Sequence, residues 1–237
     1  QPPGSQGFSP FRPFILADAR GQRSRLLKPG EAIYDEVKLF FGALGWTFTQ
    51  PGTYAVRADY PAGMSEAGRV GDTQGRLVSE VVQIAVRAPG QETDTEASKL
   101  LLDQQTGLYL FLEGGDHLEK GAANLRKVAK DLPSAVQAPA ARLALGMAAL
   151  QPTIDPKRRI RPGVRVNEAA EYLQGLLDTE QSALSLLRVH DRLADELERS
   201  GNAGDADKLR RQVVEKLGKK EAVQQPLQGI KSRIPPP

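Results

Sequence analysis

Residues 48–63, FTQPGTYAVRADYPAG, decide how the first part of the chain is read. Pro51-Gly52 is a turn pair, and beyond it Tyr54, Val56 and Ala58 alternate with Ala55, Arg57 and Asp59. A period of two marks a strand with one face inward, so a strand is predicted to leave this turn with Tyr54 at its first inward pleat. Neighbouring stretches have strand length and strand composition: RPFILAD (12–18), SRLLKPG (24–30), AIYDEVKLFF (32–41) and LVSEVVQIAV (77–86). In the last of these, Val78, Val82, Ile84 and Val86 share one parity. The polar, Gly-rich GMSEAGRVGDTQG (63–75) reads as a long connection between two strands.

The period changes after residue 90. Residues 88–95, APGQETDT, combine a breaker pair with polar residues, so the β part is predicted to end there. Thr93 or Thr95 is placed to cap a helix running through Leu102, and GLYLFLEGG (107–115) reads as a short helix stopped by Gly114-Gly115. Leu118, Ala122, Leu125, Val128 and Ala129 recur at helical spacing, with Asp116 as cap and Pro133 beyond the end. A partner helix is expected in 134–150, a Pro-rich loop over 151–166, and helices over 167–178, 180–200 and 203–217. The organisation predicted is a β-domain (1–90), an α-helical domain (91–222) and an extended Pro-rich tail (223–237).

Two resemblances sharpen this outline. Gly52-Thr53-Tyr54-Ala55-Val56 resembles the tyrosine corner of immunoglobulin-like β-sandwiches, in which a Tyr hydroxyl bonds back to the backbone of the preceding corner. The resemblance implies an antiparallel Ig-like sandwich, with Gly52 and Tyr54 as structural residues and Val56 where antibody domains carry a Cys. Five strands are countable where a sandwich has about seven. Either the N-terminal segment holds irregular strands or the first strands lie outside this chain. In residues 185–217, Leu193, Ala194 and Leu197 precede Gly201, and Ala206 and Val213 follow it. This is similar to the helical hairpins of tetratricopeptide proteins, in which small residues let helices cross closely and Gly frees the turn. Gly121, Leu125, Val128 and Pro133 repeat the spacing of the second helix of such a unit. The fold class expected is α+β in two domains, the second all-α with tetratricopeptide-like hairpins or an irregular bundle.

Charge and composition narrow the chemistry. The 237 residues are 40% hydrophobic and 26% charged, enough apolar residues for a packed core. Net charge is +3, and basic against acidic residues run 10 to 8 over 1–90, 11 to 9 over 91–166 and 11 to 12 over 167–237. So diffuse a surplus makes no basic face, which argues against nucleic acid as a partner. The absence of cysteine excludes disulfides and thiolate metal sites. No apolar run approaches the ~20 residues needed to span a bilayer. An opening on Gln1-Pro2-Pro3, with no Met and no signal peptide, suggests a processed chain or a piece of a longer one.

Residues suited to catalysis are sparse. The two histidines, His117 and His190, lie far apart in sequence on helical segments, with no HExxH spacing. Gly63-Met64-Ser65-Glu66-Ala67 echoes a nucleophile elbow but falls between strands, not between strand and helix. Phosphate loops, dinucleotide turns and EF-hand loops are absent. Neither a cofactor nor a metal is expected. Two groups are suited to binding. Lys157, Arg158, Arg159, Arg161 and Arg165 form a basic loop fit for an acidic partner, and Trp46 and Phe48 are aromatics suited to an exposed contact. The function expected is non-catalytic: protein–protein recognition or scaffolding within a larger exported bacterial protein, in an extracellular or periplasmic setting, with a cytoplasmic one left open. The alternative is a carbohydrate- or substrate-binding accessory module of a secreted hydrolase.

Overall fold

A computed structural model describes residues 7–12, 29, 37–62, 75–115, 117–151 and 164–235. The chain is mixed α+β, with short strands first and helices after. Among the described residues the strands form three separate two-stranded antiparallel ladders and no closed sheet. β1 (Phe41–Gly42) pairs with β2 (Gly45–Trp46), β3 (Gly52–Val56) with β6 (Val82–Val86), and β4 (Asp59–Ala62) with β5 (Gly75–Val78). These ladders do not confirm the expected Ig-like sandwich. Register puts Tyr54 opposite Ile84 and Val56 opposite Val82, one apolar face as the alternation predicts. That face is covered unevenly: Tyr54 is buried, whereas Val82 is 61% exposed. The strand-like stretches 13–28 and 30–36, and most of the connection 63–74, lie outside the described residues, and residues 37–40 are not in a strand.

The corner at Tyr54 has a definite geometry. Its hydroxyl donates to the carbonyl of Gln50 at 3.0 Å, across the Pro51-Gly52 turn. The Phe48 ring packs edge-on against it, with centroids 5.0 Å apart. The ring buries its area while the hydroxyl satisfies a turn carbonyl.

Eight α-helices follow among the described residues. The first two are α1 (Glu92–Leu101) and α2 (Gln104–Leu112). Next come α3 (Glu119–Asp131), α4 (Ala138–Ala149) and α5 (Val166–Leu173). The last are α6 (Ala183–Arg199), α7 (Ala203–Leu217) and α8 (Gln224–Lys231). α1 starts one residue after Gln91, so Thr93 and Thr95 lie inside it and do not cap it; the Thr95 hydroxyl bonds the Gln91 carbonyl. α2 is capped by Asp103, whose carboxylate accepts from the amides of Gln105 and Thr106. It ends at Glu113, in the left-handed region at φ 59°, just before Gly114-Gly115. The candidate cap Asp116 lies outside the described residues.

The tail corrects the expectation. Residues 224–231 are helical where extended chain was predicted. Pro226 is the third residue of that helix, where the amide it lacks would have had no intrahelical partner. Leu227 and Ile230 are wholly buried.

Two apolar clusters make the core. One joins α1 to α5 through residues such as Ala97, Leu125, Val128 and Leu145, and the other joins α4 to α8 through Leu150, Leu173, Leu186, Val213 and Leu227. Ala194 on α6 and Ala206 on α7 are fully buried, and Gly201 turns the chain between those helices at φ 88°. The β1–β2 hairpin sits on α2: Gly107 faces the rings of Phe41 and Trp46, and the Trp46 indole N–H reaches the Asp103 carbonyl at 3.4 Å.

Candidate functional site

Several ionisable groups of the helical half hold helices together. Arg210 on α7 is 2% exposed; one of its terminal nitrogens donates to Asp195 at 2.9 Å and to Glu198 at 2.6 Å, both on α6. Asp195 also accepts from Arg233, past the end of α8, at 2.7 Å, and Arg233 reaches Asp191 as well. Lys120 pairs with Asp103 at 2.5 Å, which holds that carboxyl below its usual range against the opposing effect of burial. His190 is buried in α6, with Nδ1 2.7 Å from the Leu186 carbonyl. Burial pushes the His190 pKa down, against the raising effect of the Leu186 and Leu173 carbonyls. Among the described residues no three metal-ligating side chains gather, and no helix is long and apolar enough to cross a membrane.

One open groove of about 240 Å³ lies where α3, α4 and α5 meet, lined by Lys130, Pro133, Pro139, Arg142, Glu171 and Tyr172. Its shape follows from local sequence. Pro133 follows α3, and Pro139 opens α4, where its missing amide costs no hydrogen bond. Arg142, one turn into α4, donates its Nε to the Tyr172 carbonyl at 3.1 Å and also reaches the Gln174 carbonyl. It thus satisfies two orphan carbonyls at the end of α5 and fixes that helix against α4. Tyr172 is 5% exposed and its ring forms the floor, with the Lys130 ammonium 5.8 Å above the ring centre. Among the described residues Lys130 has no carboxylate partner.

The sequence candidates fall elsewhere. Lys157, Arg158, Arg159 and Arg161 lie outside the described residues. Arg165 pairs with Glu168 one turn later at 3.0 Å. Trp46 and Phe48 are half-buried and turned onto the protein itself, on Phe41 and Tyr54. His117 is exposed. The groove residues were not singled out, because Lys130, Arg142 and Tyr172 are spread over 42 positions in three helices and share no motif. No family model, curated protein or solved structure matches the chain.

Proposed function

We propose that the chain is a non-catalytic recognition scaffold that binds a protein partner through its helical half. The observation that carries the reading is the contrast within that half. Its buried Arg210 and the half-exposed Arg233 tie helix to helix through shared carboxylates, and the groove between α3, α4 and α5 is lined by the Tyr172 ring and a cation with no carboxylate partner. Rigid helices carrying a shallow amphipathic depression suit a protein surface better than a reacting small molecule. We read the β part as an Ig-like element, on the support of the closed corner from Tyr54 to Gln50. The whole is read as belonging to a larger exported bacterial protein, in an extracellular or periplasmic setting.

The test is site-specific photocrosslinking in the native host. A benzophenone side chain is placed at exposed helical positions, Lys130 and Glu119, and at Thr53 and Gln83 on the β3–β6 ladder. A defined protein adduct at the helical positions, absent from the ladder, supports the scaffold. Binding on a glycan array without any protein adduct overturns it in favour of a carbohydrate-binding accessory module. Turnover that disappears on replacing His117 or His190 overturns the non-catalytic reading.

A further inference from the structure

We propose that the outer edge of β6 pairs antiparallel with the same edge of a second copy of this chain, about a two-fold axis at Ile84. The proposal stands apart from the scaffold reading and concerns the β part alone. Among the described residues β6 is paired only with β3, which leaves its other edge open. Leu77, Val78, Val81 and Val82, four large apolar side chains within six residues, are each at least half exposed. A two-stranded ribbon is marginal in water, whereas added strands give such side chains apolar neighbours. The opposite edge is closed: Pro61 in β4 has no amide to donate, and the Arg57 guanidinium lies over the Phe8 ring at 4.6 Å. β6 holds neither proline nor glycine.

Register within the ribbon creates the complementarity. Asp59 follows Val56 by three residues, but their partners Val78 and Val82 are four apart. The Ser79 amide donates to the Ala58 carbonyl at 2.9 Å, so the extra residue lies beyond Ser79, and Glu80 and Val81 together oppose Arg57. This bulge carries Glu80 level with Val81. A two-fold axis normal to the sheet at Ile84 sets Ile84 against Ile84, Val82 against Val86 and Gln83 against Ala85. It keeps the Tyr54 face of both ribbons on one side, so Val82, Ile84 and Val86 of the two copies form one apolar stripe. It also sets the exposed Glu80-Val81 bulge of each copy against the exposed Arg87 of the other, so opposite charges meet at both ends of the contact. With the axis at Val82 the bulge meets Gln83, and with the axis at Val86 Arg87 meets Ala85, so both charge pairs are lost. Glu80 to Arg87 spans about 25 Å at ~3.3 Å per residue, a single strand pair that stays below the ~1,200 Å² of a standard interface, so a weak, concentration-dependent dimer is expected.

The experiment is sedimentation velocity of the full chain over about 5 to 500 µM, where a reversible monomer–dimer equilibrium is expected. Val82→Lys puts a charge where the side chain is already exposed and should weaken the dimer about tenfold or more. Thr53→Lys, on β3, should leave it unchanged; an equal loss there would move the contact to the other edge and overturn the proposal. Glu80→Lys and Arg87→Glu should each weaken the dimer about tenfold, through two like-charge contacts. Mixing these two variants should restore it, because each end of the mixed pair again joins opposite charges. Restoration also shows that both variants are folded. A monomer at every concentration overturns the proposal, as does a dimer indifferent to Val82→Lys or a mixture that stays as weak as its parts. In the photocrosslinking, an adduct of the chain with itself at Gln83 reports this contact, and adducts with other proteins at Lys130 and Glu119 report the scaffold, so each reading can fail alone.

Discussion

Gly121→Ala tests the seam on which α2 and α3 meet. Gly121 lies in the first turn of α3 against the start of α2, and a methyl built there would stand 2.5 Å from the Gln105 carbonyl oxygen and 3.1 Å from the Thr106 amide nitrogen. Both are backbone atoms, so no rotamer change relieves the clash and α3 must move away from α2. Overpacking of this kind costs about 1–3 kcal/mol, against up to about 1 kcal/mol gained from replacing glycine by alanine in a helix. The shift also strains bonds that cross the same seam, Asn124 Nδ2 to the Leu100 carbonyl and to the Thr106 hydroxyl, and Lys120 to Asp103. One such bond is worth about 1 kcal/mol. The net expectation is a loss of about 1–3 kcal/mol, read as a lower midpoint in urea unfolding followed by circular dichroism. The single tryptophan, Trp46, docks on the same end of α2, so its fluorescence should report the same transition. Gly229→Ala is the control: nothing lies within 4 Å of its new methyl, and it should gain about 0.5–1 kcal/mol. If Gly121→Ala stabilises as Gly229→Ala does, α2 and α3 are not in contact there and the reasoning fails.

Three further outcomes are expected. Tyr54→Phe removes the bond to the Gln50 carbonyl and should cost about 1 kcal/mol in urea unfolding; a change under about 0.3 kcal/mol would show that the corner bond contributes nothing. Arg210→Met keeps the buried stem but leaves Asp195 and Glu198 without it. These carboxylates are 34% and 56% exposed and can rehydrate, so the loss should be about 1–2 kcal/mol, below the ~3–5 of a fully buried broken pair, and a larger loss would refute that account. His190 has a folded-state pKa below its unfolded value of about 6.5. The unfolded chain therefore takes up the proton first, so stability is full above about pH 6.5 and declines as pH falls toward the lower folded value. His190→Gln should flatten that decline, which is separate from the loss at Asp103 that begins only below the usual carboxylate range. A decline that persists unchanged in the variant would assign it to another group.

Local signals were legible where one residue type has one use. Tyr54 after Pro51-Gly52 announced a ring needing a partner for its hydroxyl, and Gly114-Gly115 announced the end of α2. The start of α1 was misplaced because Thr is a good cap in general, whereas here Gln91 precedes the helix and Asp94 turns its carboxylate to the Val136 amide near the start of α4. The tail misled for a physical reason. Proline reads as a breaker, yet Pro226 sits in the one turn of a helix that tolerates it, and burial of Leu227 and Ile230 outweighs the weak propensity of Gln and Gly. The sandwich was argued from the Tyr54 corner and from the order of turns, strands and long loop around it, and these are local devices that two-stranded ladders can also carry. The groove was invisible because it depends on which faces of α3, α4 and α5 meet, and that is set by the packing of many leucines and alanines rather than by any spacing.

Asp195 accepts from Arg210 on α7 and from Arg233 beyond α8 through the same oxygen. A residue shared in this way makes the last helices open together. Lifting α8 returns one arginine to water and alters the field felt by the other, so amide hydrogen exchange along α6, α7 and α8 should slow and quicken as one cooperative unit. The charge replacements Arg210→Met and Arg233→Met should likewise fail to add.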